Sequence, residues 1–213
     1  MHGVVMPERS DRRFPARCSV SNQEPGANVR YLSICAIHKF ETSHLREWID
    51  YHRLIGVEHF YLADNNDDSN EAGEVLAPYI HDGLVTSIHI PGRYMQIPVY
   101  NRLLSLVRSV WAAFIDLDEF VFPTEASTLS ELLCDYEKYG GLVANWFCFG
   151  SSGLIERPNS VLRQLHYRAK DDFEPNRHIK SIVQPAKVVS YDHPHFPTFK
   201  QGSFNVIPHA ANS

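Results

Sequence analysis

Long apolar runs, clustered cysteines and an excess of basic residues are all missing from this sequence. The chain has 213 residues and a formal net charge of −5. No apolar run approaches the roughly 20 residues of a membrane-spanning helix, and the first residues lack the apolar core of a signal peptide. Nucleic acid is not expected as the main partner, because phosphate binding favours a basic surface. The composition therefore predicts a soluble globular protein with no transmembrane segment.

The cysteines show no spacing typical of a metal site or a redox motif. Four of them, Cys18, Cys35, Cys134 and Cys148, are scattered without a CxxC pair or a zinc-binding spacing. Three lie in apolar segments, so we expect reduced thiols in the core. Reduced thiols fit a cytoplasmic location, where a partner protein would have to supply any membrane association.

Residues 1–28 and the rest of the chain differ in character. The first part is rich in Pro, Arg, Ser and Asn, and we expect it to be disordered. From Val29, apolar strands alternate with amphipathic helices as far as Gly150. This alternation predicts an α/β fold with an open, mostly parallel sheet flanked by helices. The looser segment after Gly150 is expected to wrap the edge of the sheet and complete a site.

The segment FIDLDEF, residues 114–120, places three acids among apolar and aromatic residues. Ligands gather at the carboxyl ends of strands in open α/β sheets. In an extended chain Asp116 and Asp118 point the same way, whereas Glu119 points away and makes a hydrogen bond in the scaffold. Paired carboxylates need a cation or a proton between them, and Mg²⁺ or Mn²⁺ with substrate phosphates suits such oxygen ligands. The alternative is that these acids form turns and helix caps, because so short a pattern recurs by accident.

Several motifs, taken in order, resemble GT-A glycosyltransferases, in particular family 92 and the related family 2-like group. They are ICAIHKFETSHLREWIDYHRLIGVEHFYLADNNDDS, Gln96 with Tyr100, FIDLDEF, WFCFGSSG, KSIVQP and HPH at residues 193–195. The resemblance covers roughly Val29 to His195. It implies one domain over residues 29–213, with a nucleotide-sugar half at 29–120 and an acceptor half at 121–213.

The resemblance also implies which residues hold the metal. Asp116 and Asp118 match the DxD that binds Mn²⁺ or Mg²⁺ with the sugar nucleotide. Asp118 is the expected direct ligand, and Asp116 would contact the ribose or a metal-bound water. Late in the chain, His193 or His195 would supply a further ligand. We favour His195, and a structural role is the alternative for both.

Four further residues are expected at the substrate, each with a plainer alternative. Asp64 would accept hydrogen bonds from uracil or ribose, or form an Asx turn. Glu41 lies near the same crevice, or is a helix N-terminal acid; many relatives carry Asn before this Glu, so the sequence HKFE departs from their pattern. Trp146 would stack on a sugar ring or fill the core. Lys180, with its basic neighbours Arg177 and His178, would neutralise the diphosphate or belong to a solvated cluster.

Family 92 resemblance implies inversion at the anomeric carbon, with a carboxylate that takes the proton of the acceptor hydroxyl. Asp171, Asp172 and Glu174 are candidates on the acceptor side, and Asp172 is our choice. An acidic loop exposed to solvent is the alternative. FGSSG, residues 149–153, does not match the GxSxG elbow of hydrolases.

The sequence thus predicts a metal-dependent glycosyltransferase that moves a sugar from a UDP-sugar to a glycan or polysaccharide. One alternative is a nucleotidyltransferase, although HKFETSH, residues 38–44, lacks the glycines of a phosphate loop. The other is a non-catalytic module that binds sugar nucleotides or carbohydrate.

Overall fold

The computed structural model describes residues 2–5, 29–67, 72–124 and 126–207. Its strands are β1 His2–Val5, β2 Arg30–His38, β3 His59–Asp64, β4 Val85–His89, β5 Ser109–Phe114, β6 Glu119–Phe122, β7 Gly141–Cys148, β8 Ile179–Val183, β9 Val188–Tyr191, β10 Pro197–Phe199 and β11 Asn205–Val206. Its helices are α1 Thr42–Leu54, α2 Gly73–His81, α3 Gln96–Leu106, α4 Leu129–Cys134 and α5 Val161–Gln164, with 3₁₀ turns at Glu174–Arg177 and Pro185–Lys187.

One large sheet carries the fold, and its strands lie in the order β4-β3-β2-β5-β8-β7-β1-β6, with β11 beside β7. The run from β4 to β5 is parallel throughout. Strand β8 is antiparallel to both of its neighbours, β5 and β7. The predicted α/β class with a mostly parallel sheet is confirmed.

The sequence predicted that the segment after Gly150 wraps the edge of the sheet. This prediction is wrong for β8, which lies in the middle of the sheet between β5 and β7. Ile182 and Val183 are fully buried there. A short apolar strand with no flanking helices gives no sequence signal for the neighbours between which it inserts.

The amino-terminal expectation also needs a correction. Residues 2–5 form β1, which pairs parallel to β6 and antiparallel to β7, where disorder was predicted. Residues 1 and 6–28, the remainder of that predicted segment, lie outside the described residues. Reduced thiols are found at Cys35 and Cys148, but Cys134 is disulfide-bonded, so the prediction of reduced cysteines is wrong for that residue.

Helix α1 forms because its apolar residues recur at helical spacing. Leu45, Trp48, Ile49 and His52 are its buried residues. Gly56, at φ 101°, ends the segment in a conformation that favours glycine. Its N-cap residue is Glu41, although Thr42 and Ser43 are the residue types that usually cap helices.

Helix α4 begins with a capping box between Thr128 and Glu131 and ends at Cys134. Among the described residues, no helix combines the length and the apolar character needed to cross a bilayer.

Two apolar layers cover the two faces of the sheet. One centres on Trp48, Phe60 and Trp111, and the other on Tyr100, Phe114 and Tyr191. Because β2, β3 and β5 are parallel neighbours, their carboxyl ends lie along the same edge. That edge carries most of the predicted site.

Candidate functional site

The acidic segment after β5 is a turn rather than a continued strand. Strand β5 ends at Phe114, Leu117 and Asp118 form the turn, and β6 starts at Glu119. The amide of Glu119 donates to the carbonyl of Asp116 at 3.1 Å and closes the turn. Strand alternation therefore does not govern these acids, so a shared direction of Asp116 and Asp118 cannot be argued from it and stays a prediction.

Three side chains donate hydrogen bonds to the carboxylate of Asp116. The Tyr100 hydroxyl and Gln96 Nε2 donate to Oδ1, at 3.2 and 3.1 Å. Lys180 Nζ donates to Oδ2 at 2.8 Å. Burial, and then the Asp116 carboxylate, raise the pKa of Tyr100, so its hydroxyl stays a donor. The four-residue spacing of Gln96 and Tyr100 places both on one face of α3, which is a sequence signal that they can share a partner.

Glu119 lies against Asp116 instead of pointing away from it. Its side chain is fully buried, and Oε2 accepts the backbone N–H of Asp116 at 2.9 Å. Burial raises the pKa of Glu119 and the Lys180 ammonium opposes this rise, so that the pKa is about 8. The expected hydrogen bond in the scaffold is present, and it fixes the backbone where the acidic turn begins.

Lys180 is the central cation of this site. Its side chain is 1% exposed, and Nζ lies 2.8 Å from Asp116 Oδ2 and 3.6 Å from Glu119 Oε1. It does not belong to a solvated cluster with Arg177 and His178, which are exposed. The reason is positional, since Lys180 lies within the central strand β8 and its neighbours lie before it.

Glu41 is brought to the same acids from the end of β2. Burial raises its pKa, a hydrogen bond from the Lys39 N–H opposes this rise, and the charges of Asp118 and Asp116 add to it, so that the pKa is about 7. Glu41 is the N-cap residue of α1, but its side chain makes no capping bond. The alternative position at a helix N-terminus is therefore confirmed, and a contact between Glu41 and a substrate stays a prediction.

Asp64 is tied into the loop that follows β3. Its Oδ1 accepts both the backbone N–H and the side-chain amide of Asn66, at 2.9 and 2.7 Å. The alternative prediction of an Asx turn is confirmed here. Asn66 Oδ1 in turn accepts the N–H of Phe40, which has φ 59°. Asp64 thus organises the rim of the crevice, and a contact between Asp64 and a nucleotide stays a prediction.

The two predicted histidine ligands lie side by side. The ring centroids of His193 and His195 are 5.2 Å apart. Nδ1 of His195 lies 2.8 Å from the carbonyl of Ile179. Because a carbonyl only accepts, Nδ1 carries the proton and Nε2 is left as the ring's acceptor. Burial, and then Lys180, lower the pKa of His195, which keeps the ring neutral.

Trp146 adjoins these histidines but its ring is already engaged. His178 stacks on it at 5.0 Å and His195 meets its edge at 5.6 Å. Lys180 Nζ lies 6.0 Å from the ring centroid. The side chain therefore lies between the histidines and the buried lysine, and sugar stacking by Trp146 stays a prediction.

Oxygen donors at the acidic turn fit Mg²⁺ or Mn²⁺ only if the substrate completes the site. Within the described ranges, no group of three His, Cys, Asp or Glu side chains could hold a metal on its own. These ions commonly bind through one or two carboxylates together with substrate phosphates. The donor set agrees with that arrangement, in which Asp118 and Asp116 would face the diphosphate.

The acceptor-side candidates lie away from the acidic turn. Asp172 is exposed in a turn before the 3₁₀ segment, and no described contact joins it to Asp116 or Asp118. Neighbouring Asp171 forms an ion pair with Arg168. In FGSSG, the Ser152 hydroxyl oxygen accepts the N–H groups of His166 and Tyr167, at 2.7 and 3.2 Å. Ser152 thus has a structural role in the loop.

Comparison with known proteins gives consistent matches. The sequence model of glycosyltransferase family 92 matches residues 30–211. A family 92 protein of Arabidopsis thaliana is 29% identical over 189 residues, which are 81% of this chain and 32% of that protein. A galactan beta-1,4-galactosyltransferase of the same plant is 32% identical over 162 residues, which are 68% of this chain and 31% of that enzyme.

Solved structures match more distantly. A mannosyltransferase from Pyrobaculum calidifontis, in complex with GDP-Man and Mn²⁺, has a TM-score of 0.42 at 13% identity, over 62% of this chain and 38% of that chain. The chain spans about a third of the length of the curated relatives it matches.

Proposed function

Since this chain belongs to glycosyltransferase family 92, we propose that it transfers a sugar from a nucleotide sugar to a glycan or polysaccharide. The donor is a UDP-sugar, the ion is Mn²⁺ or Mg²⁺, and the anomeric centre is inverted. The observation that carries the proposal is the acidic turn at the carboxyl end of β5. There, Asp116 is held by Tyr100, Gln96 and Lys180.

The proposed roles follow from positions around the turn. Asp118 binds the ion directly, and Asp116 meets the ribose or a metal-bound water. His195 Nε2 is a further ligand candidate, with His193 beside it. When bound, the ion stabilises the negative charge of the departing diphosphate. Glu41 and Asp64 line the donor side of the crevice.

On the acceptor side, the proposal keeps Trp146 for the sugar and Asp172 for the proton of the attacking hydroxyl. These two assignments rest on the family resemblance more than on the contacts. Cytoplasmic location and attachment to a membrane through a partner stay predictions, and the disulfide at Cys134 removes the argument from reduced thiols.

Calorimetric titration of UDP tests the proposal directly. Binding should require Mn²⁺, disappear with chelator, and disappear in Asp118→Ala. Asp82→Ala removes the same charge at an exposed helix end beside His81 and should bind like the wild type. UDP binding that ignores both the metal and Asp118 would contradict the proposal.

Product analysis separates the classes of transferase. A UDP-sugar incubated without acceptor should slowly release UDP. Release of pyrophosphate from a nucleoside triphosphate would favour a nucleotidyltransferase instead. Binding without any turnover, with every acceptor tried, would favour a non-catalytic module.

A further inference from the structure

Lys180 is a charged group that the proposed chemistry does not explain. Its ammonium is buried in the centre of the sheet, on β8, where removal from water is costly unless the charge is paired. Its partners are two carboxyl groups, Asp116 Oδ2 at 2.8 Å and Glu119 Oε1 at 3.6 Å. A cation between two carboxyl groups favours their charged forms, whether it is an ammonium group or a metal ion.

The ammonium cannot serve a ligand directly from this position. Its side chain is 1% exposed, whereas that of Asp116 is 32% exposed. Trp146 lies beside the ammonium, with the ring centroid 6.0 Å away. A diphosphate in the crevice would therefore meet Asp116 before it met Lys180.

Asp116 is in turn restricted by its donors. Oδ2 accepts from Lys180, and Oδ1 accepts from Tyr100 and Gln96. A divalent ion that approached Oδ2 would be repelled by the ammonium 2.8 Å away. The buried lysine thus disfavours a divalent ion at Asp116 Oδ2.

We propose that Lys180 is a positioning residue that occupies the cation position between Asp116 and Glu119. It holds Asp116 as an oriented acceptor and directs the divalent ion to Asp118. The direction of the ion to Asp118 rests on the proposed function. The occupation of the cation position by Lys180 does not, and it can be tested without any nucleotide.

Binding of Mn²⁺ alone, followed by paramagnetic resonance or water relaxation, tests the role. In Lys180→Gln the Asp116 carboxylate loses its counter-charge, and Mn²⁺ should bind at least about tenfold more tightly than in the wild type. Mn²⁺ should also raise the unfolding temperature of this variant more than that of the wild type, because the ion replaces the ammonium.

Two variants serve as controls. Lys180→Arg keeps the charge and should leave Mn²⁺ affinity near the wild-type value. The double variant Lys180→Gln/Glu119→Gln removes the Glu119 carboxyl group together with the lysine and should lose most of the gain. Unchanged or weaker Mn²⁺ binding in a folded Lys180→Gln would overturn the proposal, whatever UDP does.

A second comparison decides the matter if Lys180→Gln does not fold. Asp116→Asn should keep Mn²⁺ affinity, measured without nucleotide, within about threefold of the wild type, because Asp116 is not the ligand. Asp118→Ala should lose that binding. Equal losses in the two variants would mean that both acids bind the ion, and the assigned role of Lys180 would be wrong.

Discussion

At the scale of single residues, burial and charge give neighbouring acids different properties. Asp116 is balanced by a lysine, Glu119 is buried and accepts a backbone amide, and Glu41 faces the charges of the turn. Three carboxyl groups that look alike in sequence therefore have different environments. Their differences are open to measurement by pH.

Glu41 should make stability fall as pH rises. Its pKa moves from 4.5 to about 7 in the folded protein. The folded state therefore holds a proton that the unfolded state has released, and this contribution is complete below pH 4.5 and lost by about pH 7. Urea unfolding in chelator at pH 5 and pH 8 should show Glu41→Gln gaining on the wild type at the higher pH.

Glu74→Gln, on the exposed side of α2, is the matched control for that series. It should keep the same difference from the wild type at both pH values. If Glu41→Gln behaves in the same way as this control, Glu41 ionises normally and does not sense the acidic turn.

At the scale of elements, the site depends on contacts between segments that are distant in sequence. Asn101 of α3 donates to the carbonyl of Tyr191 and accepts its N–H, both at 2.8 Å. Tyr191 ends β9, just before His193 and His195. One helix thus supplies two of the three side-chain partners of Asp116 and also holds the strand that leads to the histidines.

Asn101→Ala should loosen β9 while leaving most of the sheet intact. Loss of both bonds leaves a buried backbone pair unsatisfied, which costs about 1–3 kcal/mol for each group. Hydrogen exchange should accelerate at residues 188–195 and remain slow in β2 and β3. Asn101→Asp keeps the acceptor for the Tyr191 N–H but sets an oxygen against the carbonyls of Ile97 and Tyr191, so it should not restore slow exchange in β9.

His52 connects α1 to β6 and should contribute to acid sensitivity. Its Nδ1 bonds to the carbonyl of Trp48 and its Nε2 accepts the N–H of Val121. Burial lowers its pKa from 6.5 to about 3. Between pH 6.5 and about pH 3, only the unfolded state binds a proton at His52. The free energy of unfolding should therefore fall by about 1.4 kcal/mol per pH unit below pH 6.5 from this residue alone.

The free energy of unfolding of His52→Gln, measured as a function of pH, should show this slope reduced by the equivalent of about one proton taken up on unfolding. His81→Gln, at an exposed helix end, should leave it unchanged. An identical slope in the wild type and His52→Gln would show that the imidazole is charged in the folded protein.

At the scale of the whole molecule, the packing around β7 and β11 leaves no room for a larger side chain at Gly141. A Cβ at Gly141 would lie 2.1 Å from Asn205 Oδ1 and 3.0 Å from Phe199. Gly141→Ala should therefore destabilise the protein by about 1–3 kcal/mol, measured in urea. Gly73→Ala is the control, since a Cβ there meets nothing within 4 Å, and it should be neutral or slightly stabilising.

Local patterns were sufficient for much of this architecture. The periodicity of Leu45, Trp48 and His52 predicted α1, and the alternation of strands and helices predicted the parallel run from β4 to β5. Tertiary pairing was not predictable in the same way. The insertion of β8, and with it the partner of Asp116, depends on contacts between residues 64 positions apart.

The acidic turn shows the same limit at the site. The spacing of Asp116 and Asp118 indicated a ligand site, but their directions were derived from a strand that ends at Phe114. A bond from Glu119 to Asp116 closes a turn that the apolar pattern did not reveal. Residue types were therefore predicted better than their orientation.

The position of β8 has a consequence for how the protein is made. Strand β5 is synthesised about 70 residues before β8, so its open edge has no partner while the ribosome adds the intervening chain. Unpaired strand edges invite association with other chains, and pairing over such a separation is slow. The nascent protein thus has a period in which the side of β5 that will pair with β8 is exposed. A chaperone that binds extended segments would act there.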